Sequence, residues 1–197
     1  MIAVAILAGG SSTRFTLNKL LYPIKGKPLI QYVVDKIEKC KYVTKTVLVV
    51  TPLALQTFSN INLDVVIDFL SIGPLGGIYI VLKLFNEVMV VGGDMPFVNC
   101  EFINTMLNLC KEYRYACLPI WRETGFMEPL AGVYSKDFIS VLEKAITINE
   151  YSIQKLIRKF NLKVKTIDIE EHLRGFTDIF VSINKFEDIN KFMEKFP

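Results

Sequence analysis

Asp94 ends the apolar run Val90-Val91-Gly92-Gly93, just before Met95-Pro96, and a carboxylate in that position is costly unless something uses it. The usual user is a cation. A second apolar run, Ala3 to Leu7, leads into Ala8-Gly9-Gly10-Ser11-Ser12-Thr13-Arg14 and then Lys19, so a donor-rich, positively charged loop leaves a second strand. Together the two segments describe a place for a metal-bound nucleoside triphosphate. One carboxylate completed by phosphate oxygens and water is how Mg²⁺ is commonly held. The structural alternative for Asp94 is a turn aspartate supporting Met95-Pro96.

The glycine loop contains neither G-x-x-x-x-G-K-[ST] nor G-x-G-x-x-G. Gly9 and Gly10 still let backbone N–H groups approach phosphate oxygens, with Arg14 and Lys19 supplying charge; the alternative is an ordinary glycine turn with solvated cations. Further on, Val65-Val66-Ile67-Asp68 precedes Gly73-Pro74-Leu75-Gly76-Gly77 and an apolar stretch from Ile78 to Phe85. A glycine-rich turn opening a helix offers unpaired N–H donors to a ligand. Asp68 reads either as an acceptor for the ring and exocyclic N–H groups of a base such as guanine or as a residue that closes its own loop. Near the C-terminus, Asn184 in Ser182-Ile183-Asn184 is either an oxygen ligand or a helix cap.

The single histidine, His172, sits among Glu170, Glu171 and Arg174 and reads as a solvated surface residue, which leaves a serine or cysteine triad without a base. No His/Cys cluster has zinc spacing. Trp121 begins what reads as a loop, either covering a flat ligand or anchoring a partly buried turn. The four cysteines, Cys40, Cys100, Cys110 and Cys117, form no C-x-x-C pair and read as reduced, mostly buried thiols of a cytoplasmic protein.

These residues need elements to hold them. Short β-rich runs alternate with stretches of helical period, the pattern of parallel βαβ units. The fold class expected is α/β: a three-layer α/β/α sandwich with a mostly parallel, Rossmann-like sheet. Strands are expected at Ile2 to Leu7, Thr46 to Val50, Asp64 to Ile67, Val88 to Val91, Tyr115 to Pro119, Leu130 to Tyr134, Lys163 to Ile167 and Ile179 to Val181. Pro28 suits the first turn of a helix whose core face is Leu29, Ile30, Val33, Val34 and Ile37. The same period recurs from Phe102 to Cys110, from Phe138 to Ala145 and from Phe186 to Phe196. With 197 residues, one domain spanning 1–197 buries roughly 70% of its unfolded surface. The net charge of +3 without a basic block gives no case for nucleic acid. Apolar segments fall well short of the ~20 residues a membrane span requires.

The chain resembles the nucleotidyltransferases that make activated cofactors and sugars, and within them the molybdenum cofactor guanylyltransferases of MobA type. The resemblance runs nearly end to end through Leu7-Ala8-Gly9-Gly10-x-Ser12-x-Arg14-Phe15, Lys19-Leu20-Leu21, Gly26-Lys27-Pro28-Leu29, Asp68, Gly73-Pro74-Leu75-Gly76-Gly77, Asp94-Met95-Pro96-Phe97, Glu128-Pro129-Leu130 and Asn184. It implies that Leu7, Ala8, Gly9 and Gly10 bind nucleotide, Lys19 contacts phosphates, Asp68 holds guanine and Asp94 binds Mg²⁺. Ser182 and Asn184 would face the pterin phosphate. The Leu-Ala-Gly-Gly form resembles the guanine-using branch, whereas cytidine-using relatives more often carry Ala-Ala-Gly. The chain departs from the pattern at Phe15-Thr16-Leu17-Asn18, where the family usually has Met-Gly and an acid before the lysine. It departs again at Thr51, where Asn is frequent, and at Ser182, the first position of an Asn-x-Asn pair.

The implied reaction joins GTP to molybdopterin or its metal-loaded form, with Mg²⁺, giving the guanine dinucleotide cofactor and pyrophosphate; cofactor-assembly proteins are the implied partners. The alternatives are a cobinamide-phosphate guanylyltransferase, a molybdenum cofactor cytidylyltransferase, a sugar-phosphate nucleotidyltransferase, or a nucleotide-binding regulatory module without turnover. A dinucleotide-dependent oxidoreductase fits the alternation but lacks the glycine fingerprint.

Overall fold

The computed structural model describes residues 2–9, 19–181 and 188. Its organising strand is β1 (Ile2–Leu7), whose alternation sends Ile2, Val4 and Ile6 into one core layer and Ala3 and Ala5 into the other. That is the period-2 consequence of a strand buried on both faces. A hairpin of β2 (Pro23–Ile24) and β3 (Lys27–Pro28) turns at Lys25 and Gly26, both at positive φ. It delivers the chain to α1 (Leu29–Ile37), whose five apolar residues Leu29, Ile30, Val33, Val34 and Ile37 are all buried. Pro28 stands one residue ahead of this helix, as its N-cap.

The chain continues through β4 (Val43–Val50), β5 (Asp64–Ile67), α2 (Pro74–Leu84), β6 (Glu87–Gly92), α3 (Cys100–Leu109), β7 (Ala116–Trp121), β8 (Phe126–Met127), β9 (Val133–Ser135), α4 (Ile139–Thr147), α5 (Ile153–Lys159), β10 (Lys165–Asp168) and α6 (Ile169–His172). The strands form one sheet in the order β10-β7-β9-β6-β1-β4-β5, with β8 paired to β7. The pairs β1·β4, β1·β6, β4·β5 and β7·β10 are parallel, while β9 runs antiparallel to both neighbours. Helices α1, α3 and α6 cover one face, and α2, α4 and α5 cover the other. This is the mostly parallel three-layer arrangement expected from the alternation. From β1 the order runs to β4 on one side and β6 on the other, so a crevice opens at the carboxyl ends of β1 and β6, where such sheets place ligands.

Four expectations are corrected. The four cysteines are not free thiols: Cys40 is bonded to Cys100 and Cys110 to Cys117. Packing of α1 against α3, and of the α3 end against β7, brings together residues whose separations of 60 and 7 say nothing about proximity. The segment expected as strand Ile179 to Val181 belongs instead to a 3₁₀ helix, Arg174–Phe180. Helical spacing wins there because Phe176 and Phe180 both meet the Phe102 ring edge-on, at 5.7 and 5.8 Å, while Ile179 enters the core. Leu130 and Ala131 are likewise withdrawn from their expected strand into a 3₁₀ turn that Pro129 opens. Trp121 closes β7 and does not begin a loop. The helical pattern from Phe186 to Phe196 lies outside the described residues. No described helix is long and apolar enough to cross a membrane.

Candidate active site

The crevice beside β1 is a cleft with about 670 Å³ of space out to open solvent, floored by Leu7, Val49 and Leu20 and walled by Lys19, Asp94 and Asp68. Its centre is an ion pair, Lys19 Nζ to Asp94 Oδ2 at 2.7 Å, with side-chain exposures of only 19% and 17%. Screening by water is therefore weaker than at a surface pair, and a phosphate group entering here meets a strong local field.

The loop carrying Asp94 is fixed from several directions. Gly93 N–H donates to Leu7 O at 3.0 Å, stitching the ends of β6 and β1 together. Met95 and Val98 are buried in the core, and Asn99 caps α3 by accepting from Phe102 N–H at 2.9 Å. From α1, Lys36 Nζ donates to Pro96 O at 2.8 Å and lies over the Phe97 ring; burial lowers the pKa of this ammonium. The Cys40–Cys100 bond secures the far end of the same segment. Asp94 is thus held on a rigid support.

Asp68, at the end of β5, is only 4% exposed. Its Oδ1 accepts from Leu70 N–H at 3.0 Å and Ser71 N–H at 3.2 Å. Among the described residues no cation pairs with it, and burial raises its pKa, partly offset by those two hydrogen bonds. Asp68 closes its own loop, the second of its two readings, and also lines the cleft. Beside it, Gly73 at φ +79° begins α2, with Pro74 at the first helical position. Gly76 leaves room for that carboxylate: a Cβ there would lie 2.7 Å from Asp68 Oδ2 and 2.8 Å from Oδ1 and would push it aside. The α2 N-terminus, without an acidic residue in its first turn, borders the cleft through Gly73, Pro74 and Gly77 and brings its positive dipole end there.

The structure brings Leu7, Gly9, Lys19, Asp68 and Asp94 to this one cleft. Ala8 is buried, its N–H donating to Val49 O at 2.8 Å. Gly10, Arg14, Ser182 and Asn184 lie outside the described residues. Among the described residues no group of three or more His, Cys, Asp or Glu side chains is placed to hold a metal. The donor set suits Mg²⁺ that shares its coordination with substrate phosphates, not a protein-caged ion.

Sequence reasoning missed Val49, Leu20 and Leu130 as cleft walls, since apolar residues carry no chemical label. It also left Trp121 undecided: the indole packs edge-on against Phe180 at 5.8 Å and donates from Nε1 to Glu128 Oε1 at 2.8 Å. His172 ends α6 as an exposed surface residue, its Nε2 3.8 Å from Glu171 Oε1.

Comparison with known proteins gives the family. Residues 4–165 match the model of the MobA-like NTP transferase domain. A Pyrococcus furiosus protein described as a probable molybdenum cofactor guanylyltransferase is 38% identical over 192 residues, covering 97% of this chain and 96% of its own. The crystal structure of molybdopterin-guanine dinucleotide biosynthesis protein A from Archaeoglobus fulgidus superposes with a TM-score of 0.83, at 26% identity and 98% coverage of both chains. A 4-diphosphocytidyl-2C-methyl-D-erythritol synthase from Anaerococcus prevotii, 16% identical, shares the fold with a TM-score of 0.70, covering 99% of this chain and 95% of its own. The chain belongs to the MobA-like NTP transferase family, in its molybdenum cofactor guanylyltransferase branch.

Proposed function

We propose that the protein, read as one catalytic domain over its whole length, transfers GMP from GTP to the terminal phosphate of molybdopterin or its metal-loaded form. A phosphate oxygen of the pterin forms a bond to the α-phosphorus of GTP, the bond to the β-phosphate bridging oxygen breaks, and pyrophosphate leaves with that electron pair. The second pKa of a phosphate monoester is ~6, so the nucleophile is already largely ionised at neutral pH and needs no general base. The observation that carries this reading is the shielded Lys19–Asp94 pair at the β1/β6 crevice, in one cleft with Asp68 and the open start of α2.

In this reading Leu7, Ala8, Gly9 and Gly10 present backbone to the nucleotide, and Asp68 accepts from the guanine N–H groups. Lys19 and Arg14 neutralise phosphate charge in the transition state. Asp94 holds Mg²⁺, which, when bound, offsets repulsion between the two phosphates and the charge developing on pyrophosphate. Ser182 and Asn184 serve the acceptor. Partners are GTP, the pterin and cofactor-assembly proteins, without nucleic acid or membrane.

We place the protein in the cytoplasm, where its nucleotide substrate is. The test is Mg²⁺-dependent pyrophosphate release with GTP, CTP or ATP, each with and without molybdopterin. Release with GTP and molybdopterin together, and with neither alone, is expected. Equal release with CTP, or release independent of the pterin, would overturn the assignment.

A further inference from the structure

Asp68 is not the one carboxylate in this fold that is taken out of water without a cation. Glu128, between β8 and the 3₁₀ turn at Pro129–Ala131, is half-buried, and burial raises its pKa, with the Trp121 hydrogen bond acting the other way. Its Oε1 accepts from Trp121 Nε1 at 2.8 Å, a neutral donor, and among the described residues Oε2 has no hydrogen-bond partner. Arg122, next to Trp121, is already committed. Its Nε lies 2.5 Å from Asp168 Oδ2, its Nη2 is 3.3 Å from Glu171 Oε2, and its backbone N–H donates to Glu170.

Glu128 is firmly placed. Its N–H donates to Pro119 O at 2.9 Å and its carbonyl accepts from Ala131 N–H at 3.2 Å. Two residues on, Leu130 lines the cleft that holds Lys19, Asp94 and Asp68. The carboxyl ends of β1, β4, β5, β6, β7 and β10 share one edge of the sheet, since these strands run parallel to one another apart from the antiparallel β9 between β6 and β7. Asp68 therefore stands on the β5 side of the Lys19–Asp94 pair, and Glu128 stands on the β7 side.

A shielded carboxylate with a spare oxygen is a costly feature that a ligand N–H donor offsets. The two aromatic ends of the proposed reactants carry the same donor edge, because guanine and pterin each join a ring N–H to an exocyclic 2-amino group. Resting on the proposed function, we infer that Glu128 recognises the pyrimidinone edge of the acceptor pterin, as the β7-side counterpart of Asp68. The acidic company of Asp168, Glu170 and Glu171 around Arg122 repels phosphate, so the acceptor lies with its phosphate toward Lys19 and its heterocycle toward Glu128.

The test is Glu128→Gln, isosteric, with an amide oxygen that still accepts from Trp121 but an NH₂ in place of the second acceptor. Losing a hydrogen bond to a charged acceptor is expected to raise the KM for molybdopterin roughly 10- to 100-fold, with the KM for GTP changed less than about twofold and the Tm unchanged. An independent reading comes from Trp121, the single tryptophan of the chain. Its fluorescence, titrated with molybdopterin and no GTP, should show a midpoint displaced by the same factor in the variant. An unchanged acceptor KM and midpoint, or a parallel rise in both KM values with a lowered Tm, overturns the inference while leaving the proposed function standing. Failure of the wild-type protein to turn over molybdopterin overturns both.

Discussion

The two halves of the sheet's carboxyl edge handle charge in opposite ways. Around β1, β4 and β5 the cleft offers Lys19, the start of α2 and the glycines Gly9, Gly73 and Gly77, with Asp68 carrying no paired cation among the described residues. Around β7 and β10, Asp168, Glu170 and Glu171 engage Arg122, while the Glu128 carboxylate accepts from the neutral Trp121 indole. In the proposed function the first half takes the polyphosphate and the second the neutral, donor-rich heterocycle, so that an electrostatic gradient along one edge brings two phosphates together at the Lys19–Asp94 centre.

The largest expected effect distinguishes the supports of the two halves. Cys40–Cys100 braces the segment that follows Asp94, and Cys110–Cys117 ties the end of α3 to β7. Closing 60 residues limits the unfolded chain more than closing 7: about 4 kcal/mol against about 2 kcal/mol in the chain-entropy account. Chemical denaturation should show the double variant Cys40→Ala/Cys100→Ala losing more stability than Cys110→Ala/Cys117→Ala, and a reducing agent should lower the wild-type Tm. Equal losses would contradict this ordering.

Next come the charges themselves. Lys19→Ala and Asp94→Asn should each reduce turnover by ~10²-fold or more, the scale of losing a preorganised electrostatic group. Turnover near wild type in either variant would remove the phosphate centre from the account. Gly76→Ala follows, because its Cβ would sit 2.7 Å from Asp68 Oδ2 and force that carboxylate aside. The KM for GTP should rise roughly 10-fold, the worth of one charge-assisted hydrogen bond at the low end, while the acceptor KM stays level.

The smallest effect concerns stability. The folded-state pKa of Asp68 is raised by burial above its ordinary value of 3.8, so the folded protein binds that proton more tightly than the unfolded chain. Its stabilising contribution is complete below the unfolded pKa and is lost as pH rises through the folded one. Asp68→Asn keeps an oxygen for Leu70 and Ser71, so it should raise the Tm at neutral pH, with the advantage shrinking as pH falls toward 4, while weakening the preference for GTP over CTP. A Tm difference independent of pH would mean that burial does not oppose ionisation of this group.

Much of this arrangement was legible in the sequence. β1 and β5 fall at their expected residues because apolar runs end abruptly in Ala-Gly-Gly and in Asp68. Asp94 and Asp68 announced themselves as charges at strand ends, and Lys19 as a cation on the stretch that follows β1. Illegible were features that depend on where separate elements meet. The cysteine pairs are set by packing of α1, α3 and β7, and the 3₁₀ segment Arg174–Phe180 is decided by the distant Phe102 ring. The Trp121–Glu128 contact was hidden for a related reason: it forms across the β7–β8 hairpin, whose register of Trp121 with Phe126 no motif records.

The central claim is that GMP, and not pyrophosphate or the γ-phosphate, is what moves. Its most direct measurement uses GTP labelled at the α-phosphate, incubated with the protein, Mg²⁺ and molybdopterin, followed by separation of products. The account predicts label in a pterin guanine dinucleotide, with one unlabelled pyrophosphate released per transfer. Label that stays in GTP, or appears as free GMP with no dinucleotide formed, would contradict it.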